Sequence, residues 1–167
     1  MFDTLMMLVF PVLMAFAASS DLLTMRISNR LVLALAGAFV VVALLLNLSF
    51  PEVAMSFAAA AIVLAVAFTF FAFGWIGGGD AKLAAATALW MGFGLTLPYL
   101  LYAAVLGGTL TLIFLALRRF PLPPHLSRYE WIERLHNSRN GVPYGIALAA
   151  AGMMTYVHTP VFERLVA

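Results

Sequence analysis

Two aspartates are the side chains of this sequence best suited to do chemistry. Asp80 follows three consecutive glycines, Gly77, Gly78 and Gly79, at the end of a long apolar run, and Asp21 also follows an apolar run. An ionisable side chain costs free energy to keep near hydrocarbon, so such a residue tends to be retained for a function. We therefore treat Asp21 and Asp80 as a candidate pair.

A pair of carboxylates can act as general acid and general base. In a site of low dielectric the two repel each other when both are ionised, so they hold one proton between them and titrate as a unit. The ionised member can take a proton from water attacking a peptide carbonyl, while the protonated member donates to the carbonyl oxygen and later to the leaving amine. The sequence leaves open which aspartate takes which role. This chemistry predicts no cofactor and no metal.

Each acid also has a purely structural interpretation. Asp80 could cap a helix that begins at Ala81 by accepting main-chain hydrogen bonds. Asp21 could be an interfacial charge paired with Arg26 or Lys82, although an acid at the C-terminal end of a helix opposes the helix dipole. The three glycines, which lack Cβ atoms, are expected to take unusual dihedral angles and to let the chain approach an extended peptide closely.

The composition is that of a membrane protein. Of the 167 residues 65% are hydrophobic and 10% charged, and the mean hydropathy is +1.05, all far from the values of soluble domains. We expect an all-α polytopic membrane protein with a single domain over 1–167. The net charge is only +2, and the basic residues are scattered and form no continuous patch, so no nucleic-acid partner is predicted. The chain has no cysteine, which excludes disulfides and thiolate metal sites.

About six stretches are apolar enough to cross a bilayer, which takes roughly 20 helical residues. These stretches are 4–20, 31–48, 54–74, 81–98, 99–117 and 143–160. The boundary between the fourth and the fifth is placed near Pro98-Tyr99. The alternative is one long kinked helix, which would leave five crossings.

The basic residues lie mostly on one side of this six-crossing arrangement. Eight of the nine Lys and Arg residues fall there, and only Arg164 falls on the other side. The eight are Arg26, Arg30, Lys82, Arg118, Arg119, Arg128, Arg134 and Arg139. The positive-inside rule makes that side cytoplasmic and places both termini outside. Because two crossings separate them, Asp21 and Asp80 are both expected at the cytoplasmic interface.

The one sizeable polar stretch is 118–142. Its Ser127-Arg128-Tyr129-Glu130 sequence fits a helix-capping box, and Ile132 and Leu135 continue the apolar face begun by Tyr129. This pattern predicts a short amphipathic helix on the cytoplasmic interface. A solvated loop with some helix is the alternative.

Two motifs resemble those of type IV prepilin peptidases, which are aspartic membrane proteases of the GxGD type. Asp21, Arg26 and Asn29 are similar to the first motif, an Asp followed by a basic residue and then Asn. The stretch 77–82, Gly-Gly-Gly-Asp-Ala-Lys, is similar to the second motif, Gly-x-Gly-Asp-x-Lys. The stretch 142–145, Val-Pro-Tyr-Gly, resembles the start of the last helix in the short CpaA/TadV branch, which serves Flp-type (tight adherence) pili.

The resemblance implies an aspartic endopeptidase of the bacterial inner membrane, with periplasmic termini, that removes the basic leader of prepilins at the cytoplasmic face. Asp21 and Asp80 would be the catalytic pair. The active-site and substrate-binding loops would hold Gly77, Gly78, Gly79, Lys82, Arg26 and Asn29. The partners would be the transmembrane helix of a prepilin and the lipid bilayer. Larger members carry a cysteine-rich insertion and also N-methylate pilin, so this cysteine-free chain is expected to lack a methyltransferase domain.

Two other functional classes compete with the protease. A small proton-coupled transporter or channel could use the same two acids as a relay. A non-catalytic pilus assembly factor could bind a partner helix through its small-residue faces. Replacing either aspartate separates the three classes. A protease would lose cleavage, a transporter would lose proton flux, and an assembly factor would lose neither.

Overall fold

The computed structural model describes residues 2–166, and within them the chain is helical, which confirms the predicted all-α fold. The helices are α1 (Phe2–Thr24), α2 (Asn29–Leu45), α3 (Phe50–Ala72), α4 (Gly78–Leu117), α5 (Glu130–His136), α6 (Gly145–Tyr156) and α7 (Pro160–Val166).

The helices confirm a polytopic membrane protein. Three described stretches are long and apolar enough to cross a bilayer, namely Asp3–Thr24, Phe50–Ala72 and Gly78–Leu117. Helices α6 and α7 meet at a bend of 51° and together pass the same test as a fourth stretch, while α2 is a shorter apolar helix. The count of six crossings therefore remains a prediction.

Local capping sets where the first helices begin and end. Met25 takes a left-handed conformation (φ 52°), and its N–H donates to the Asp21 carbonyl at 2.7 Å, which ends α1 one turn beyond that acid. The Ser28 hydroxyl accepts from the Leu31 N–H at 3.2 Å and starts α2. Because α1 continues past Asp21, this carboxylate projects from a regular helix.

Helix α4 is broken at Gly92. Its φ of 61° and ψ of −175° lie in a region that only glycine adopts readily. We call 78–91 the inner arm and 93–117 the outer arm. The predicted boundary near Pro98-Tyr99 is wrong, since Pro98 lies inside the outer arm. A proline removes one hydrogen bond and can be accommodated in a membrane helix, whereas this glycine redirects the chain.

The two arms of α4 lie antiparallel to each other. Asp80 of the inner arm and Ala103 of the outer arm line one cavity of about 500 Å³. In an unbroken helix these residues would be about 35 Å apart, at about 1.5 Å per residue. The start and the end of α4 therefore lie at the same end of the molecule.

The inner arm forms the centre of the bundle. Trp90 donates its indole N–H to the Leu35 carbonyl of α2 at 3.0 Å. Its ring packs against Phe10 of α1 and Phe39 of α2, with centroids 5.1 and 5.7 Å apart. Phe10 in turn stacks on Tyr156 of α6 at 4.6 Å. Asp80 thus lies in the first turn of a helix that α1, α2 and α6 hold in place.

The loop 118–142 contains the predicted short helix, but with a different start. Tyr129 is the N-cap of α5, and the Ser127 hydroxyl donates to the Pro124 carbonyl at 2.9 Å. The predicted capping box is therefore wrong, because Ser127 belongs to the turn that follows Pro124. Of the predicted apolar face only Leu135 is buried. The position of α5 at a membrane interface remains a prediction.

Candidate active site

Asp21 is buried and bound by the main chain of a distant helix. It lies in the last turn of α1 and is 5% exposed. Its Oδ2 accepts the N–H of Gly145, the first residue of α6, at 2.7 Å. Within residues 2–166 no salt bridge joins Asp21 to Arg26 or Lys82, so the interpretation as a simple interfacial ion pair has no support there.

Asp80 is the third residue of α4 and folds back over the N-cap residue Gly77. A Cβ atom on Gly77 would lie 2.8 Å from the Asp80 Oδ2, so a side chain at this position would collide with the carboxylate. Because α4 begins at Gly78 and Gly77 is its N-cap, the interpretation of Asp80 as the cap of a helix that begins at Ala81 is wrong. Asp80 lies in the first turn of α4 and lines open space.

The structure brings the two carboxylates together. Both line a cavity of about 790 Å³ whose wall also contains Arg26, Arg134 and Arg139. Both also line an adjoining cavity of about 530 Å³ formed by the α1–α2 loop and the glycine run. The polar space beside the acids is large enough for water and for a stretch of peptide.

The glycine run serves close packing rather than unusual dihedral angles. Among the described glycines only Gly74 and Gly92 have positive φ, so the expectation of unusual dihedrals at 77–79 is wrong. A Cβ on Gly78 would meet the Phe71 ring at 3.2 Å, and one on Gly79 would meet the Cβ of Ile27 at 3.2 Å. Small residues here let the start of α4 lie directly against the end of α3 and the α1–α2 loop.

A hydrogen bond between side chains joins the two motifs. The Lys82 ammonium group donates to the Asn29 Oδ1 at 3.0 Å, across 53 residues of sequence. The carbonyl of Arg26 accepts from the hydroxyls of Ser20 and Thr24 at 3.0 and 3.2 Å, which fixes the path of the loop. Arg26 lines both polar cavities.

Asp80 also borders an apolar cavity. This space of about 500 Å³ lies between α3 and the outer arm, and its apolar wall includes Val66, Phe70, Leu97 and Leu100. Asp80 therefore stands where a polar cavity meets an apolar one. Such a junction fits a peptide that changes from polar to hydrophobic at this point.

Sequence reasoning missed three residues of this site. Arg134 and Arg139 line the polar cavity, and Gly145 binds Asp21. The sequence predicts only that both arginines lie on the cytoplasmic side. The Pro-Tyr-Gly stretch at 143–145 was the available signal for Gly145, but no role was attached to it.

Comparison with known proteins agrees with this geometry. The profile of the Type IV leader peptidase family matches residues 8–112, which include both aspartate motifs and more than half of the chain. Comparisons with curated proteins and with solved structures gave no match. On the evidence of the profile match, the chain belongs to the type IV leader peptidase family and is a membrane protease.

Proposed function

We propose that this protein is an aspartic endopeptidase that cleaves the basic leader from type IV prepilins of the Flp class. The observation that supports this most is that Asp21 and Asp80 line the same cavity, within the region that matches the peptidase family. In this proposal the two acids are the catalytic pair, and water in the polar cavity is the nucleophile.

The reaction proceeds by general acid–base catalysis. The ionised carboxylate takes a proton from water as the water oxygen attacks the scissile carbonyl, and the protonated carboxyl group donates to the carbonyl oxygen. The C–N bond then breaks, and a proton passes to the leaving amine. One Asp21 oxygen is engaged by the Gly145 N–H, which orients the carboxylate for this exchange.

The cavities beside the dyad suit a prepilin, in which a polar leader precedes a hydrophobic helix. The apolar cavity next to Asp80 offers a place for the first hydrophobic residues after the cut. Arg26, Arg134 and Arg139 line the polar cavity. We therefore expect uncharged residues around the scissile bond to enter it, and the basic residues of the leader to remain outside.

The proposed location is the bacterial inner membrane, with the active site toward the cytoplasm. In support, the basic side chains of Arg26 and Arg134 lie beside the two acids. The ion pair of Glu52 and Arg164 joins α7 to the start of α3, the end of α3 that is remote from the glycine run. Assignment to the CpaA/TadV branch rests on the Val-Pro-Tyr-Gly stretch at 142–145.

Co-expression with an Flp-type prepilin in a host lacking its own peptidase tests the proposal. We expect the pilin to lose its leader, with one cut just before the hydrophobic segment when product masses are measured. The substrate class would be wrong if several Flp-type prepilins remained uncut although the peptidase was present in the membrane. Proton flux in liposomes without any cleavage would instead favour the transporter.

A further inference from the structure

We propose that Gly145 is a positioning residue for Asp21, and that Tyr144, packed against Gly107, keeps Gly145 in place. The inference rests on the proposed catalytic role of Asp21. It assigns the segment 140–145, which we call the α6 entry segment, to the active site as a third component beside the two aspartate motifs.

The contact between Gly145 and Asp21 leaves no room for a side chain. The N–H of Gly145 donates to the Asp21 Oδ2 at 2.7 Å in a buried setting. A Cβ on Gly145 would lie 2.8 Å from that same oxygen, 3.1 Å from the Asp21 Cβ and 2.8 Å from the Ile27 Cδ1. Any larger residue must therefore move the carboxylate, the α1–α2 loop or the start of α6.

The neighbouring residue, Tyr144, fixes the start of α6 on the outer arm of α4. A Cβ on Gly107 would lie 2.0 to 2.3 Å from three atoms of the Tyr144 ring and hydroxyl, so the ring occupies the space that a side chain would fill. The Tyr144 hydroxyl also donates to the Ala103 carbonyl at 3.0 Å. The ring and the hydroxyl of Tyr144 together fix the position of the Gly145 main chain along the axis of the outer arm.

Arg118, just beyond the outer arm, fixes the other end of the entry segment. Its guanidinium group donates to the carbonyls of Asn140 and Gly141 at 3.2 and 2.8 Å, and its Nε donates to the Leu135 carbonyl at 2.8 Å. A planar group with several donors in fixed directions defines the path of the main chain that it binds. The outer arm therefore holds the entry segment at both ends.

These contacts make a continuous connection from the outer arm to the catalytic carboxylate. Arg118, Tyr144 and Gly145 all lie beyond residue 112, where the match to the peptidase family ends. A displacement of a catalytic group by about 1 Å can lower a rate on the order of 100-fold. A substitution that shifts the entry segment should therefore slow the chemical step rather than weaken substrate binding.

Two pairs of glycine variants test the inference, measured as kcat and KM for prepilin cleavage by the purified full-length protein. We expect Gly145→Ala and Gly107→Ala to lower kcat by about 10- to 100-fold with KM little changed. The controls are Gly108→Ala and Gly37→Ala, since no atom lies within 4 Å of a Cβ at either position. Both controls should match the parent. Tyr144→Phe, which retains the ring, should lose less activity than Gly107→Ala.

Parent-like kcat for both Gly145→Ala and Gly107→Ala would overturn the inference, and so would a rise in KM with kcat unchanged. If Gly145→Ala does not accumulate in the membrane, the kcat values of the other three variants decide instead. The inference then requires Gly107→Ala to be slowest, Tyr144→Phe to be faster and Gly108→Ala to match the parent. Asp21→Asn is measured in the same assay. If it cleaves as the parent does, the proposed function has failed, whatever the glycine variants show.

Discussion

The two aspartates are positioned chiefly by main-chain atoms. Asp21 accepts the N–H of Gly145, and the carboxylate of Asp80 lies over the Cβ-free Gly77. Within the described residues, neither acid has a basic side chain in salt-bridge contact. Main-chain groups belong to rigid helix ends, so they hold a carboxylate without neutralising it.

The bond between Lys82 and Asn29 gives a prediction at the residue scale. Replacing Lys82 by Met or Asn29 by Ala should each lower kcat several-fold, because the bond joins the start of α2 to the first turns of α4, where Asp80 lies. Since Lys82 and Asn29 are exposed, the loss in stability should be under about 1 kcal/mol.

A double-mutant cycle on cleavage rates, with thermal unfolding measured in parallel, checks this prediction. The double variant should be no slower than the slower single variant, because both changes remove the same bond. Arg30→Met, which removes a neighbouring exposed charge, serves as the control. Fully multiplicative effects of the two changes would show that Lys82 and Asn29 act independently.

At this scale the sequence revealed the acids but not what holds them. Asp21 and Asp80 were recognisable because a charge in an apolar chain is rare, and Lys82 and Asn29 because they complete the two motifs. The role of Gly145 depends on a main-chain N–H, which every residue except proline possesses. Only the fold shows that this particular N–H reaches Asp21.

At the scale of the element, the reversal in α4 places Asp80 beside the entry to α6. Because the outer arm returns along the inner arm, Ala103 and Gly107 come to the same end of the molecule as the acids. The break at Gly92 is therefore a structural requirement of the site, although Gly92 and Asp80 lie at opposite ends of the inner arm.

Gly92→Ala is predicted to destabilise the protein by about 1–3 kcal/mol, because a residue with a Cβ is strained at its φ and ψ. Thermal unfolding in detergent measures the effect. Gly94→Ala is the matched control, since a Cβ there meets no atom within 4 Å and alanine favours the helix. Equal stability of the two variants would contradict the assigned break.

Cross-linking tests the reversal directly, since the chain has no native cysteine. Cysteines replacing Ala84 and Ala104, which line the same apolar cavity, should be joined by a short bifunctional maleimide. An unbroken helix would separate them by about 30 Å. The pair formed by positions 84 and 116 should remain unlinked. Failure to link 84 with 104 would indicate a straight α4.

Hydropathy located the helices well but could not locate this break. The predicted stretches 31–48 and 54–74 overlap α2 and α3 closely, because apolar composition follows the helix. No charged residue interrupts the run 83–117, so hydropathy marks no boundary there, and the predicted boundary falls at Pro98, the usual helix breaker. The sequence contains four glycines in this run, and only the backbone angles single out Gly92.

At the scale of the whole molecule, charge divides the protein into two ends. The acids share their cavity with Arg26, Arg134 and Arg139. In contrast, Glu52 and Arg164 pair at the start of α3, the end of that helix remote from the glycine run. This polarity was predictable from counting basic residues along the chain. The number of crossings was not, because several apolar helices are shorter than a bilayer requires or are interrupted by a bend.

Cysteine accessibility tests the orientation. Ser138→Cys lies in the loop before α6, and His158→Cys lies in the turn after it; both positions are exposed. In intact cells with a permeabilised outer membrane, an impermeant maleimide should label position 158 but not position 138, because basic loops stay in the cytoplasm. Labelling of position 138 alone would reverse the proposed topology.

The most direct test of the catalytic pair is prepilin cleavage by the parent, Asp21→Asn and Asp80→Asn at equal membrane abundance. Each change keeps the size of the side chain and removes its charge, so each should abolish leader removal while the protein remains folded. Loss of cleavage in both variants would support the two-aspartate mechanism. Leader removal by either variant at the parent's rate would contradict it.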